Sequence, residues 1–472
     1  MNTNTQFERR IDARLIMSIV ATGLMSFSGV VVETAMNVTF PSLMKEFGVG
    51  TSTVQWITTG YLLILSMIIP ASSWLKRRFT TKRLFVTAIT LFIIGTVMCA
   101  SAPVFALLLL GRLIQGVGTG IALPLMFNIV LEQVPYEKMG LMMGTASLIT
   151  AIAPAVGPSL GGMIVNTFGW RMIFVALLPL LVMAFFMGAA GIRQVSATEK
   201  ISFNVKDFFF LAAGFACFIF GINNASVSGW LSAPVIAMLI AAVFALAVFC
   251  RRSRESDSPL IRMQVFHCAP FTLSVAVIVS VQFICLGAGF LIPNYAQLVM
   301  GENAFTAGCL LLPGCIIGAC LTPAAGKILD RFGARLPVTF GNICVIISAC
   351  LFSLFLHSAG IAAIIVFYII FAFGQSFSMG TNMTHGLSYL PEELNSDGNA
   401  VINTMQQLSG AVGTCVVSTI VASAQASQSA ADAMTAGTLS GTQNAFVVLF
   451  GVSIFMLCCV TGVFKTAKNY RS

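Results

Sequence analysis

Fourteen stretches of this chain are apolar over about 20 residues or more, the length an α-helix needs to cross the hydrocarbon of a bilayer. The first opens near Leu15, the tenth near Ala304, the thirteenth near Asn399 and the last near Phe446. Inside lipid every backbone N–H and C=O must be satisfied within the protein, so such stretches fold as helices. With 57% hydrophobic and 9% charged residues, against roughly one quarter charged in soluble domains, the chain is an all-α integral membrane protein. The opening MNTNTQFERRIDAR is polar, and the span after it is too long for a signal peptide, so it is expected to be retained.

Charge placement orients the spans. With the amino terminus inside, all 25 Lys and Arg except Lys45, Arg171 and Arg112 fall on the inner side, the positive-inside pattern. A cell-membrane, multi-pass protein with both termini cytoplasmic is therefore expected, and the net charge of +9 needs no nucleic acid to explain it. The thirteen cysteines form no CxxC pair and the three histidines do not cluster, so neither a metal nor a cofactor is expected. The polar stretch from Gln425 to Asn444 reads as an outer loop.

One carboxylate stands out. Glu33 lies in GVVVETAMNVTFP, well inside the first span, where an unused charge costs several kcal/mol. The fourth span, LLLLGRLIQGVGTGIALPL, carries the opposite charge, Arg112, followed by Gln115 and a run of glycines suited to helix packing. Counted from the outer ends of their spans, Glu33 is ~10 Å deep and Arg112 ~13 Å deep, so the two can share one level. Burial favours a neutral carboxyl and a nearby cation a charged one; a motion that changes either converts proton loading into release. The fifth span, LITAIAPAVGPSLGG, holds Pro154, Gly157, Pro158, Gly161 and Gly162, a composition that bends a helix and clears one face of bulk.

GPSLGG, RLIQGVGTG and the later GKILDRFGAR, Gly326 to Arg335, resemble signature motifs of the major facilitator superfamily. ETAMNVTFP and the proline–glycine run are similar to those of its drug–proton antiporters, and the span count to the fourteen-span branch of EmrB, QacA and LmrB type. WRMIFVALLP and VINTMQQLSGAVGT extend the likeness over nearly the whole length.

The resemblance implies two six-helix bundles, residues 1–192 and 267–472, joined by a 193–266 linker with two extra transmembrane helices. It implies a monomeric secondary transporter, not an enzyme, that exports lipophilic, monocationic drugs in exchange for protons. Glu33 and Arg112 would couple the proton. Glu33, Asn37, Trp56, Tyr61, Gln115, Tyr295, Gln297, Asn403 and Gln406 would meet the substrate. Gly157, Pro158, Gly161, Gly162, Asp330, Arg331, Gly333 and Arg335 would serve the moving interfaces. The first-half copy of the loop motif departs from the family pattern: Ser73 and Thr80 stand for glycines and Arg77 for the aspartate. A latch of reversed polarity, Arg77 against Glu392, Glu393 or Asp397, is the expected substitute. A proton-coupled solute transporter of narrow specificity, a channel and a membrane sensor are the competing readings.

Overall fold

The computed structural model describes residues 11–471 except 50, 55, 200, 230, 257–258, 303 and 427–432. Among them are fourteen helices of twenty residues or more, numbered here in chain order. The first six are α1 (Ala13–Phe47), α2 (Trp56–Arg78), α3 (Thr81–Ala100), α4 (Phe105–Gln133), α5 (Met139–Phe168) and α6 (Arg171–Gly191). Then follow α7 (Val205–Ser228) and α8 (Ala233–Glu255). The last six are α9 (Ala269–Leu298), α10 (Leu312–Phe332), α11 (Arg335–Phe355), α12 (Ile361–Leu387), α13 (Asn395–Ala426) and α14 (Ala433–Arg471). By length and composition these give up to fourteen membrane spans.

Helices α1–α6 form one bundle and α9–α14 the other, with the pair α7–α8 packed on α2 and α13. Small residues set the closest crossings. A Cβ at Gly118 would lie 2.7 Å from Ala88 O on α3, and one at Gly116 3.1 Å from Tyr61 O on α2, so α4 is wedged between both neighbours. Helix α5 bends by 41° between its segments Tyr136–Pro154 and Ser159–Val165, the interval holding Pro158. Ahead of α10, the short helix Ala304–Cys309 breaks off and the helix restarts with Pro313 in its first turn, where a missing N–H costs nothing.

The stretch read as an outer loop is mostly helix. Helix α13 runs to Ala426 and α14 begins at Ala433, leaving only residues 427–432 outside the described region. Gly437 and Gly441 have no side chain to hold α14 off Gln425 and Val421, and Gln425 Nε2 donates to Thr438 Oγ1 at 2.7 Å. The two helices therefore support each other beyond the apolar segment.

The inserted pair is anchored at the end of the molecule that carries most of the Lys and Arg, the basic end. Asp207, fully buried, takes Arg252 at 2.9 Å and Asn204 Nδ2 at 2.8 Å. Trp74 of α2 donates to Ser202 O at 3.1 Å and packs with Leu211, Phe215, Phe249 and Leu260.

Candidate functional site

Glu33 projects half-buried from the middle of α1. Its neighbours on that helix are fixed by α5: a Cβ at Gly157 would fall 1.9 Å from Thr34 Oγ1, and one at Gly161 2.8 Å from Ala35 Cβ. The bent, glycine-rich face thus lets α5 press against the turn that carries the carboxylate. Gly162 lies half-buried on the same helix, while the side chains of Asn37 and Pro158 lie outside the described residues.

Arg112 is fully buried on α4, within electrostatic reach of Glu33, yet among the described residues no direct ion pair joins them. Its guanidinium stacks 4.1 Å from the Tyr61 ring centroid, donates through Nη1 to Gln115 Oε1 at 2.8 Å and through Nε to Ile57 O at 3.4 Å. Gln115 passes the chain on to Thr96 Oγ1 at 2.8 Å, and Tyr61 OH donates to Thr119 Oγ1 at 2.9 Å and Gly29 O at 3.2 Å. Nη2 of Arg112 has no partner among the described residues. Tyr61 and Gln115, both fully buried, therefore hold the arginine in place and do not line a chamber.

That chamber lies between the bundles, a cavity of about 180 Å³. The first bundle supplies Val30, Leu123, Phe127, Ser147 and Pro154, and the second Gln282, Cys285, Cys315, Tyr368, Gln375, Asn403, Gln406 and Gln407 among others. Glu33 follows Val30 by three residues, one helical turn or ~4.5 Å along α1.

Of the expected substrate contacts, Asn403 and Gln406 line the cavity. Three others do not. Trp56 packs its ring on Phe220 of the inserted α7, 4.9 Å between centroids. Tyr295 is buried in the second bundle, donating to Leu356 O at 3.2 Å, and Gln297 is exposed at the end of α9. Sequence reasoning passed over Gln282, Gln375 and Gln407, although a carboxamide inside an apolar span was the available signal.

Below the cavity, on the basic side, amides join the bundles. Asn399 of α13 donates to Pro124 O at 2.8 Å and Asn128 Oδ1 at 2.7 Å on α4, and Asn403 donates to Asn399 Oδ1 at 2.7 Å. At the basic end itself there are two junctions. Asp330 of α10 accepts the N–H groups of Gly140 at 2.8 Å and Leu141 at 3.0 Å, capping α5 across the divide. Gly333, at φ +78, ends α10 behind it; Arg331 and Arg335 flank this turn.

At the other junction Asp397, fully buried in the first turn of α13, accepts Ser73 Oγ at 2.6 Å and Arg262 N at 3.0 Å. Arg77 forms no ion pair with Glu392, Glu393 or Asp397 among the described residues, contrary to expectation. Its Nη2 donates instead to Pro259 O at 2.5 Å, and its carbonyl accepts Glu199 N at 2.8 Å. The linkers flanking the inserted helices take its direct bonds, while buried Asp397 stays within electrostatic reach of its guanidinium. Glu392 accepts the Tyr136 hydroxyl, and Glu393 O accepts from Arg262 Nη1 at 3.3 Å.

Two six-helix bundles that close over a central cavity, with isolated opposite charges inside their spans, define a membrane transporter. Residues 22–414 match the Major Facilitator Superfamily, and the chain belongs to that family. It is 37% identical over 450 residues to the lincomycin resistance protein LmrB of Listeria monocytogenes, covering 93% of this chain and 95% of that one. To the multidrug resistance protein B homolog of Mycobacterium tuberculosis it is 26% identical, covering 87% and 77%. Among solved structures, the human organic anion transporter MFSD10 (TETRAN) superposes with a TM-score of 0.67 at 12% identity, covering 94% of this chain and 99% of that one, a likeness of fold.

Proposed function

We propose that this chain is a proton-driven exporter of lipophilic antimicrobial compounds, working by alternating access with the basic end in the cytoplasm. The drug-resistance names of its relatives support export, and the placement of Glu33 supports coupling. The observation that carries the reading is a carboxylate in mid-span with no hydrogen bond or ion pair among the described residues, one turn from the cavity and within reach of Arg112.

When the basic end opens, ionised Glu33 attracts a monocationic drug into the cavity. When the opposite end opens, a proton takes the carboxylate and the drug leaves. Arg112, parked against Gln115, Ile57 O and Tyr61 with one nitrogen to spare, supplies the counter-charge when the site is empty. The bent α5 and the junctions at Asp330 and Asp397 are the surfaces that part and re-form. The cavity of about 180 Å³ is smaller than the ~300–1,000 Å³ of ordinary ligand pockets, so this form is contracted and widens when either end opens.

Exchange of one proton for one monovalent cation is electroneutral, so membrane potential, worth ~2.3 kcal/mol per charge per 100 mV, adds little drive. The test is efflux of lincomycin and a panel of cationic dyes from cells with and without the gene, with and without a protonophore. Export that collapses with the protonophore and is lost in Glu33→Gln, with part retained in Glu33→Asp, is expected. No change in sensitivity to any compound, or full export by Glu33→Gln, overturns the reading.

A further inference from the structure

The two walls of the central cavity differ in chemistry. Among the described residues the first bundle contributes Val30, Leu123, Phe127 and Pro154, with Ser147 the one hydroxyl. Among the described residues the carboxamides that line the cavity, Gln282, Gln375, Asn403, Gln406 and Gln407, all come from the second, and none of the described lining side chains is charged.

Two of the five are committed to the protein. Asn403 Nδ2 donates to Asn399, and Gln375 Nε2 donates to Cys285 Sγ at 3.1 Å. Gln282, Gln406 and Gln407 make no hydrogen bond to the protein among the described residues, although each is half-buried inside the membrane-spanning bundle. Their amides face the cavity with donors and acceptors uncommitted to the protein, and three of them on one wall offer that capacity to a molecule that enters. Their placement is regular: Asn399, Asn403, Gln406 and Gln407 fall at i, i+4, i+7 and i+8 along α13, one helix face, with Gln282 opposite on α9.

Resting on the export reading above, we propose that Gln282, Gln406 and Gln407 are specificity-determining residues that bind the uncharged, hydrogen-bonding part of the cargo. The substrate class is an amphiphile with at least two hydroxyl, amide or carbonyl groups on one side and an apolar face on the other. The polar side meets the glutamines, and the apolar face lies on Val30, Leu123 and Phe127. Charge is read separately, at Glu33, so a net cation is not required for occupancy of this wall. Carboxamides donate and accept from the same group, so the wall fits hydroxyls and amides in several orientations and admits a family of compounds.

The test uses the full-length protein in lipid nanodiscs and two probes. Chloramphenicol is uncharged and carries two hydroxyls and an amide; tetraphenylphosphonium is a cation with no hydrogen-bonding group. Expected is that the unaltered protein binds both, and that Gln282→Leu and Gln407→Leu each lower the chloramphenicol-to-tetraphenylphosphonium affinity ratio about tenfold. Gln407→Asn should recover part of the ratio. Acetylating both hydroxyls of chloramphenicol should weaken its binding to the unaltered protein, and the difference should vanish in Gln407→Leu, an arm that holds even if a variant expresses poorly.

A ratio that does not move, two affinities that fall in step, or tetraphenylphosphonium binding without chloramphenicol binding each overturns the assignment of the wall. An unaltered protein that binds neither probe and exports no compound of the panel overturns the export reading, and the wall with it. Binding of both probes without export separates the two, sinking transport while the affinity ratios still decide the wall.

Discussion

The two junctions at the basic end occupy matching places in the two halves and are built on opposite principles. At the second-half motif the backbones of α10 and α5 touch: a Cβ at Gly326 would lie 2.1 Å from Gly140 O, and Asp330 caps the α5 N-terminus. At the first-half copy, the residue in the place of Gly326 is Ser73, which reaches across with a hydroxyl, and the acid has moved to the facing helix as Asp397. Arg77 in the aspartate position turns to the linkers of the inserted pair. Thr80, in the second glycine position, starts α3 as its N-cap and accepts from Arg83 N at 3.4 Å, where Gly333 ends α10 in a left-handed turn. One junction is a bare backbone contact with a helix cap; the other is a side-chain network that includes two linkers. The first tolerates no added atom, whereas the second tolerates changes of shape but not a reversal of charge.

That contrast can be broken in order of expected effect. Gly326→Val should do most, because the added side chain meets backbone that cannot give way. Overpacking worth about 1–3 kcal/mol shifts the closed form by roughly fivefold to more than a hundredfold, read as raised maleimide labelling of a cysteine placed at the basic end and as loss of efflux. Ser73→Val should do distinctly less, and equal effects would erase the distinction. Next comes Arg77→Asp, which sets a second carboxylate against buried Asp397. It should open the basic end to labelling, and adding Asp397→Asn should reverse much of that; a double variant no better than the single would remove charge from the account.

Asp330→Asn weakens a cap worth about 1 kcal/mol, roughly fivefold in labelling. Asp397→Asn should cost less, since its carbonyl oxygen still accepts Ser73 and Arg262 N. Smallest is a staple at the opposite end, outside both junctions. Glu46 accepts Trp170 Nε1 at 2.7 Å and pairs with Arg171 at 2.6 Å, bonds that hold its carboxyl below the ordinary value of 4.5 against some burial. A lowered folded value means stability present above pH ~4.5 and lost as pH falls through the folded value. The pair is well exposed, so Glu46→Gln should shift thermal stability by under about 1 kcal/mol at pH 7 and leave basal labelling alone.

Much of the fold was legible because lipid makes the rules strict: an apolar run of sufficient length is a helix, and basic clusters mark one side. Glu33, Arg112 and the bend in α5 could be found the same way, since a charge or a proline–glycine run inside such a helix has few tolerable explanations. The lining of the cavity was less legible. Trp56, Tyr295 and Gln297 have the right chemistry on the right spans, yet one packs on the inserted helix, one is spent inside its own bundle and one faces outward. Which side of a helix looks into the cavity depends on how the neighbours rotate it, and hydropathy that is high all round carries no such phase.

The sequence by itself determined fourteen helices, the gathering of basic residues at one end and the two isolated charges, because burying a polar group in hydrocarbon is decided residue by residue. Only the tertiary structure decided what those charges meet. Ser73 and Asp397 are 324 residues apart, Gln282 and Gln407 sit on separate helices, and Arg77 donates to Pro259 O, 182 residues away. Such pairings come from docking one bundle and one inserted pair against another, where a rotation of a single helix exchanges every partner at once.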